Sequence, residues 1–249
     1  MMTKAYHAFQ QKLIYFEDDI EFVDILRIAV TNNALTDPSS NKVLKYLNPL
    51  VHSHLSRRRN SDGSRRIIVN HLRQSVYGSY IKDVYEEVTE YLKTVLIKYF
   101  ESDINNPRLI GSHSVNIDAK TLLALGNWEA VCQYVANSIF QALESERSTL
   151  SLLKKIKTKI GVDVDDSLIE DSVPYLQLRH FLVHADGTLP DDFISSHPSI
   201  PHTSNNVVKL DLPFIKIFKS KVIELIRAYD TKIVEQALLP SDYLAPQNY

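Results

Sequence analysis

Apolar residues recur at three- and four-residue steps along most of the chain, the spacing of one helix face. Between Ala5 and Ala34 the stripe is Phe9, Leu13, Phe16, Ile20, Val23, Leu26 and Val30, with Glu17, Asp18, Asp19, Glu21 and Asp24 off it. This predicts an amphipathic helix that stops before the turn-forming Asp37-Pro38-Ser39-Ser40. Lys42 to Leu55 continues with Val43, Leu44, Leu47 and Leu50, and Pro49 is expected to kink it. The longest pattern runs from Ile67 to Phe100, with Val69, Leu72, Val76, Tyr80, Val84, Val88, Tyr91, Val95 and Tyr99 on the stripe and Gly78 as a tolerated interruption. Asp103 to Ser114 reads as a connection.

The second half repeats the helical pattern in shorter pieces. Asn116 or Asp118 is placed to cap a short helix to Leu125, and Asn127 another from Trp128 through Leu143 towards Ile160. Gly161-Val162-Asp163-Val164-Asp165-Asp166 breaks that pattern. A helix from Ser167 or Ser172 to Ala185 should end at Asp186-Gly187. Thr188 looks like the cap of a fresh start, Ser195 to Asn206 looks irregular, and Val207 to Leu210 alternates as a short strand would. A last helix, about Pro213 to Leu238, is expected to bury Phe214, Ile217, Val222, Leu225 and Ile226. No repeat and no shift in composition divides the chain. The prediction is an all-α multi-helix bundle in one domain over residues 1–249.

Composition narrows the function more than the fold. Six glycines in 249 residues argue against phosphate-cradling Gly loops and dinucleotide folds. The lone Cys132 removes disulfide frameworks and Cys-based metal clusters. No stretch approaches the roughly 18 apolar residues of a membrane span. Met1 to Gln11 lacks the basic-then-apolar order of a secretion signal, so a soluble cytoplasmic protein without membrane partners is expected. A net charge of −2 argues against a broadly basic coat but leaves room for local clusters. Arg57, Arg58, Arg59, Arg65 and Arg66 form such a cluster around a polar loop or frayed helix end, a weak candidate for tracking an RNA backbone. Lys154, Lys155, Lys157 and Lys159 spread around a helix and read as solvated surface. Tyr77, Tyr80, Tyr85 and Tyr91 sit at helical spacing and read first as core, with base stacking as the functional alternative.

The chemistry concentrates in Leu178-Arg179-His180-Phe181-Leu182-Val183-His184-Ala185-Asp186-Gly187. One Arg and two His occupy the last turns of a helix whose other positions are apolar, which is expected to desolvate them in part. Five residues of regular helix carry His184 about 140° past a full turn from Arg179, so the two do not share a face within one chain. A second copy of the helix, antiparallel across a two-fold axis, makes convergence easier. His180 and His184, four apart, do face each other. That pair could open a zinc site with Asp186 or a distant His as third ligand, but no His-Glu-x-x-His pattern accompanies it. Glu86, Glu87 and Glu90 on the long helix are candidates to pair with Arg179. Trp128 and Cys132 share one helical face and read as core; His52 and His54 look incidental.

The Arg-His-Phe-Leu-Val-His run resembles the signature of the HEPN superfamily, an Arg, a polar residue next to it, and a His after four intervening residues. The break at Gly161-Val162-Asp163, the apolar helix and the Asp-Gly stop also look like stand-alone bacterial HEPN proteins. The close resemblance covers about 151–193; it makes 61–240 the HEPN-like core and 1–60 an N-terminal elaboration. What it implies is a helical homodimer that cleaves RNA without metal or cofactor. A toxin or a stress or phage-defence effector, restrained by an antitoxin or regulatory protein, fits that implication. His184 would act on the ribose 2′-hydroxyl and the leaving 5′-oxygen, Arg179 would hold the scissile phosphate, and His180 would orient the other two. The products would carry 2′,3′-cyclic phosphate ends. The alternative is a non-catalytic HEPN-like module for dimerisation, nucleotide or protein binding.

Overall fold

The computed structural model describes residues 1–36, 39–102, 117–144 and 148–246. The Asp37-Pro38 turn, the connection expected over 103–114 and the Asn116 cap lie outside the described residues. The architecture is all-α, with one two-residue ladder pairing β1, Met2–Thr3, antiparallel to β2, Leu244–Ala245.

α1 spans Lys4–Thr31 and starts on Thr3, whose hydroxyl accepts the Tyr6 N–H at 3.0 Å. α2 spans Asp62–Ser102, 41 residues and about 60 Å long. Between them the expected helix over 42–55 does not form: the segment is turns, closed by a 3₁₀ turn at Leu55–Arg57. Asn48 is the local reason. Its side chain accepts the Leu50 N–H while its backbone N–H donates to His52 Nδ1, both at 3.0 Å, and such bonds compete with the helical ladder. Val43 and Leu47 are buried there, while Leu50 is exposed.

α3, Ala119–Leu125, is capped by Asp118, and the Asn127 carboxamide accepts the Ala130 N–H at 2.8 Å to start α4, Trp128–Glu144. The single run expected towards Ile160 is two helices, because Ser148 restarts the pattern by capping α5, Thr149–Ile160. Gly161 at φ +77° ends α5. α6, Asp166–His184, begins on Asp165 and runs through the buried Pro174; α7, Asp191–Ser196, and α8, Leu212–Glu235, follow. Thr188 is not a cap: it bridges to Val207, and Pro190 precedes α7. Val207 and Val208 make isolated bridges, to Thr188 and His202, rather than a strand.

α2 is the hub. α1, α4 and α6 pack on it, α8 packs on α6 and α1, and α5 ties α4 to α6. Phe9, Leu13, Ile20 and Val23 of α1 belong to the same core as Ile81, Val84, Leu92 and Leu96 of α2 and Phe218, Val222 and Leu225 of α8, so the N-terminal helix has no core of its own. Ile217, expected inside, is half exposed. The chain ends meet at Asp230, which is buried and accepts from Thr3 N, Thr3 Oγ1 and the Tyr91 hydroxyl. Burial holds its carboxyl above the ordinary range, and the Thr3 donors oppose that rise. Among the described residues no helix is long and apolar enough to cross a membrane.

Candidate functional site

α6 is anchored along its length before it presents its C-terminus. The Asp165 carboxylate accepts the Ser167 N–H at 2.9 Å, and Lys154 and Lys157 of α5 pair with Glu170 at 2.6 Å and Asp166 at 2.8 Å. Two of the four lysines of that basic run are therefore structural ties, and Lys159 is buried. Ile169, Val173, Leu176 and Leu178 face the core. The helix ends where the Asp186-Gly187 pair predicts. Gly187 stands at φ +80° and Asp186 at +49°, and the Gly187 N–H returns to the Phe181 carbonyl at 2.9 Å. The Gly187 carbonyl then accepts the Val208 N–H at 2.9 Å, which pins the following loop.

Against this frame the three residues divide between two directions. His180 and His184 are exposed, their ring centroids 4.9 Å apart and tilted by 48°. His180 also meets Phe181 edge-on at 5.6 Å, and Phe181 packs on Phe193, which contacts His197 at 4.5 Å. Both imidazoles are exposed, and α7 covers the neighbouring Phe181 instead. Arg179 turns the other way. Its guanidinium carbon lies 5.3 Å over the ring of Tyr85 on α2, and its Nε is buried without a hydrogen-bond partner. This is a cation–π contact, worth about 0.5–2 kcal/mol depending on desolvation.

No hydrogen bond or ring contact among the described residues joins Arg179 to either histidine, in keeping with the helical offset of about 140° between Arg179 and His184. Nor does Arg179 pair with Glu86, Glu87 or Glu90: Glu87 faces Lys12 of α1 at 3.7 Å, and Glu90 accepts from the Thr94 hydroxyl at 3.4 Å. An aromatic ring stands where an acid was expected. Among the described residues the arginine thus pairs with no carboxylate, and its planar guanidinium suits a phosphate as a second partner. Tyr85 and His197 belong to this neighbourhood and carried no distinguishing signal in the sequence. A half-buried Tyr at helical spacing looks like any core Tyr, as Tyr77, Tyr80 and Tyr91 prove to be.

The arginine cluster splits in the same manner. Arg57, Arg58, Arg59 and Arg66 are exposed. Arg65 is 6% exposed, paired with Asp62 and bonded to Asn60, so it closes the first turn of α2 instead of facing a ligand. Arg179 lies over Tyr85 and Leu182 lies near Gly78, so α6 and α2 run antiparallel and the histidine end points towards the Arg66 end of α2. From Gly78 to Arg66 is about 18 Å of helix. Trp128, expected in the core with the buried Cys132, is 62% exposed. His52 and His54 are exposed in the loop before α2. Among the described residues no group of three His, Cys, Asp or Glu side chains is placed to hold a metal ion.

Chemically, the end of α6 offers two adjacent imidazoles to solvent and, around the helix, a guanidinium that pairs with no carboxylate among the described residues. Comparison with protein-family models, with curated proteins and with solved structures yields no match to this chain.

Proposed function

We propose that the chain is a metal-independent endoribonuclease of the HEPN type that works as a homodimer. One observation carries the reading: among the described residues Arg179 has no carboxylate partner, and it shares the last turns of α6 with a solvent-facing pair of imidazoles at a pinned helix end. A structural arginine at such a place ordinarily pairs with an acid, and this one is left available for phosphate. The divergence of Arg179 and His184 within one chain makes the second copy a requirement of the reading. Two α6 ends would gather both sets around one phosphate.

In that cleft His184 takes the proton of a ribose 2′-hydroxyl, and the 2′-oxygen attacks the adjacent phosphorus. The bond to the 5′-oxygen breaks as His184 of the second copy returns a proton to it. Arg179 stabilises the charge building on the non-bridging oxygens. The products are a 2′,3′-cyclic phosphate and a 5′-hydroxyl; DNA, lacking the nucleophile, is spared. Arg57, Arg58, Arg59 and Arg66 extend the track for the backbone. A role as a toxin or defence effector, with a restraining protein partner, accords with the same resemblance.

A second reading is a non-catalytic helical module, favoured by the stacking of Arg179 on Tyr85 away from the histidines. The two separate on one assay. Purified protein with RNA in EDTA should give cyclic-phosphate ends, and Arg179→Ala or His184→Ala should lower the rate by about 10²-fold or more with the helical circular-dichroism signal unchanged. Cleavage that survives both substitutions, or that EDTA abolishes, overturns the assignment. An inert protein that still dimerises supports the module.

A further inference from the structure

The seam between α1 and α2, on the side of α2 away from Arg179, carries features that the nuclease reading does not use. A cavity of about 230 Å³ opens there, with Phe16, Ile20 and Val76 as apolar walls and the carboxylates of Asp19 and Asp83 beside them. That is below the roughly 300–1,000 Å³ of small-molecule sites and suits a single long side chain. Tyr80 lines the same cavity; it is 3% exposed, and its hydroxyl is buried without a hydrogen-bond partner. Neither Asp19 nor Asp83 forms an ion pair among the described residues. Burial, with Glu86 nearby, raises the Asp83 carboxyl above its ordinary range, and Lys82 opposes the rise without forming an ion pair with it.

Beside Asp19, the outer face of α1 exposes large apolar side chains. Tyr15, Asp19 and Phe22 follow one another at steps of four and three, so the two aromatics flank the acid; they are 70% and 65% exposed, and Ile25 is 65% exposed. Exposed apolar faces of this kind mark contact surfaces. Asp18 and Glu21, also without ion pairs among the described residues, share the outer side of α1. The charge decides the occupant. An antiparallel second copy would set these carboxylates against their own images, whereas a basic partner neutralises them.

We infer that this seam docks a cationic amphipathic helix of a partner protein, which inserts one Lys or Arg between Asp19 and Asp83 and lays apolar residues over Tyr15, Phe22 and Ile25. The aliphatic stem would run along Phe16, Ile20 and Val76, and the head would reach the two carboxylates and the Tyr80 hydroxyl. The buried cation is the anchor, and the exposed aromatics supply the area around it.

The test is a nuclear magnetic resonance titration of the full-length ¹⁵N-labelled protein with n-butylguanidinium, with n-butanol as the neutral control. A Leu/Arg amphipathic peptide follows. Saturable shifts at Asp19 and Asp83 are expected from the cation and not from butanol, weakened about tenfold or more by Asp19→Asn or Asp83→Asn in variants whose remaining spectrum is unchanged. The peptide should bind at least about tenfold tighter than the free cation, and Phe22→Ser with Ile25→Ser should erase that gain. No saturable shift, or an equal response to butanol, overturns the cation pocket. A peptide no tighter than the free cation makes it a small-amine site and overturns the docking. A homodimer that Phe22→Ser dissociates shows that a second copy covers the face, and overturns the basic partner.

Discussion

Gly187 shows how much of the candidate site rests on single backbone positions. At φ +80° it turns the chain off α6, and a Cβ there would lie 3.3 Å from Val208 Cγ1 and 3.5 Å from Leu182 Cδ2. Gly187→Ala therefore meets both the left-handed penalty and a tight contact, and should cost about 1–2 kcal/mol in urea unfolding. A loss within error of zero would show that the turn relaxes freely and does not hold the histidine end. The Asp-Gly stop was legible from residue type alone, because left-handed backbone favours so few residues. The Arg179–Tyr85 contact was not. Which aromatic or acid meets an arginine depends on the register of two packed helices, and Tyr85 lies within about one and a half turns of its acidic neighbours.

At the scale of elements, long periodic runs translated into helices, and the expected caps Asp118 and Asn127 each start one, while Thr3 and Asp165 are caps that the structure adds. Errors fell where local hydrogen bonding competes with periodicity, at Asn48 and Ser148. The Lys42–Leu55 stretch has helical spacing but spends its Asn48 side chain on a turn. Gly78 offers the converse case, a glycine inside α2 that no turn requires. A Cβ there would make ordinary contact with Leu182 at 3.8 Å and Leu210 at 3.9 Å. Gly78→Ala should thus stabilise the protein by about 0.5–1 kcal/mol, through the lower backbone entropy of its unfolded chain. Thermal unfolding checks it. A destabilised variant would mean that α2 and α6 pack more closely than those distances allow.

The whole molecule is closed by the meeting of its two ends. Thr3 caps α1 and donates twice to Asp230 in the last helix, while Met2–Thr3 pairs with Leu244–Ala245. Because burial raises the Asp230 pKa, the folded state holds a proton that the unfolded state has released as pH rises past the ordinary carboxylate value. Stability therefore falls with rising pH across that window. Thr3→Val deletes the cap and the hydroxyl donor that oppose the rise. It should cost about 2–3 kcal/mol at neutral pH, from a charge-assisted bond and a cap lost together. The loss should be larger at about pH 7 than at about pH 4, because the Thr3 hydroxyl favours the charged carboxylate of Asp230, which is more populated at the higher pH. Denaturant unfolding at the two values checks the sign, and an equal loss at both would remove Asp230 from the account.

The order of residues by itself determined the helical class, most helix starts and stops, and the Arg179-His180…His184 cluster at a helix end, because these follow from periodicity, capping chemistry and local spacing. Only the tertiary structure decided that Arg179 faces a tyrosine, that Arg65 is consumed by Asp62 and Asn60, that Trp128 is exposed, and that Asp19 and Asp83 share a cavity. Each of those depends on which faces of distant helices come together, and that is set by the packing of the entire core and not by any one stretch of sequence.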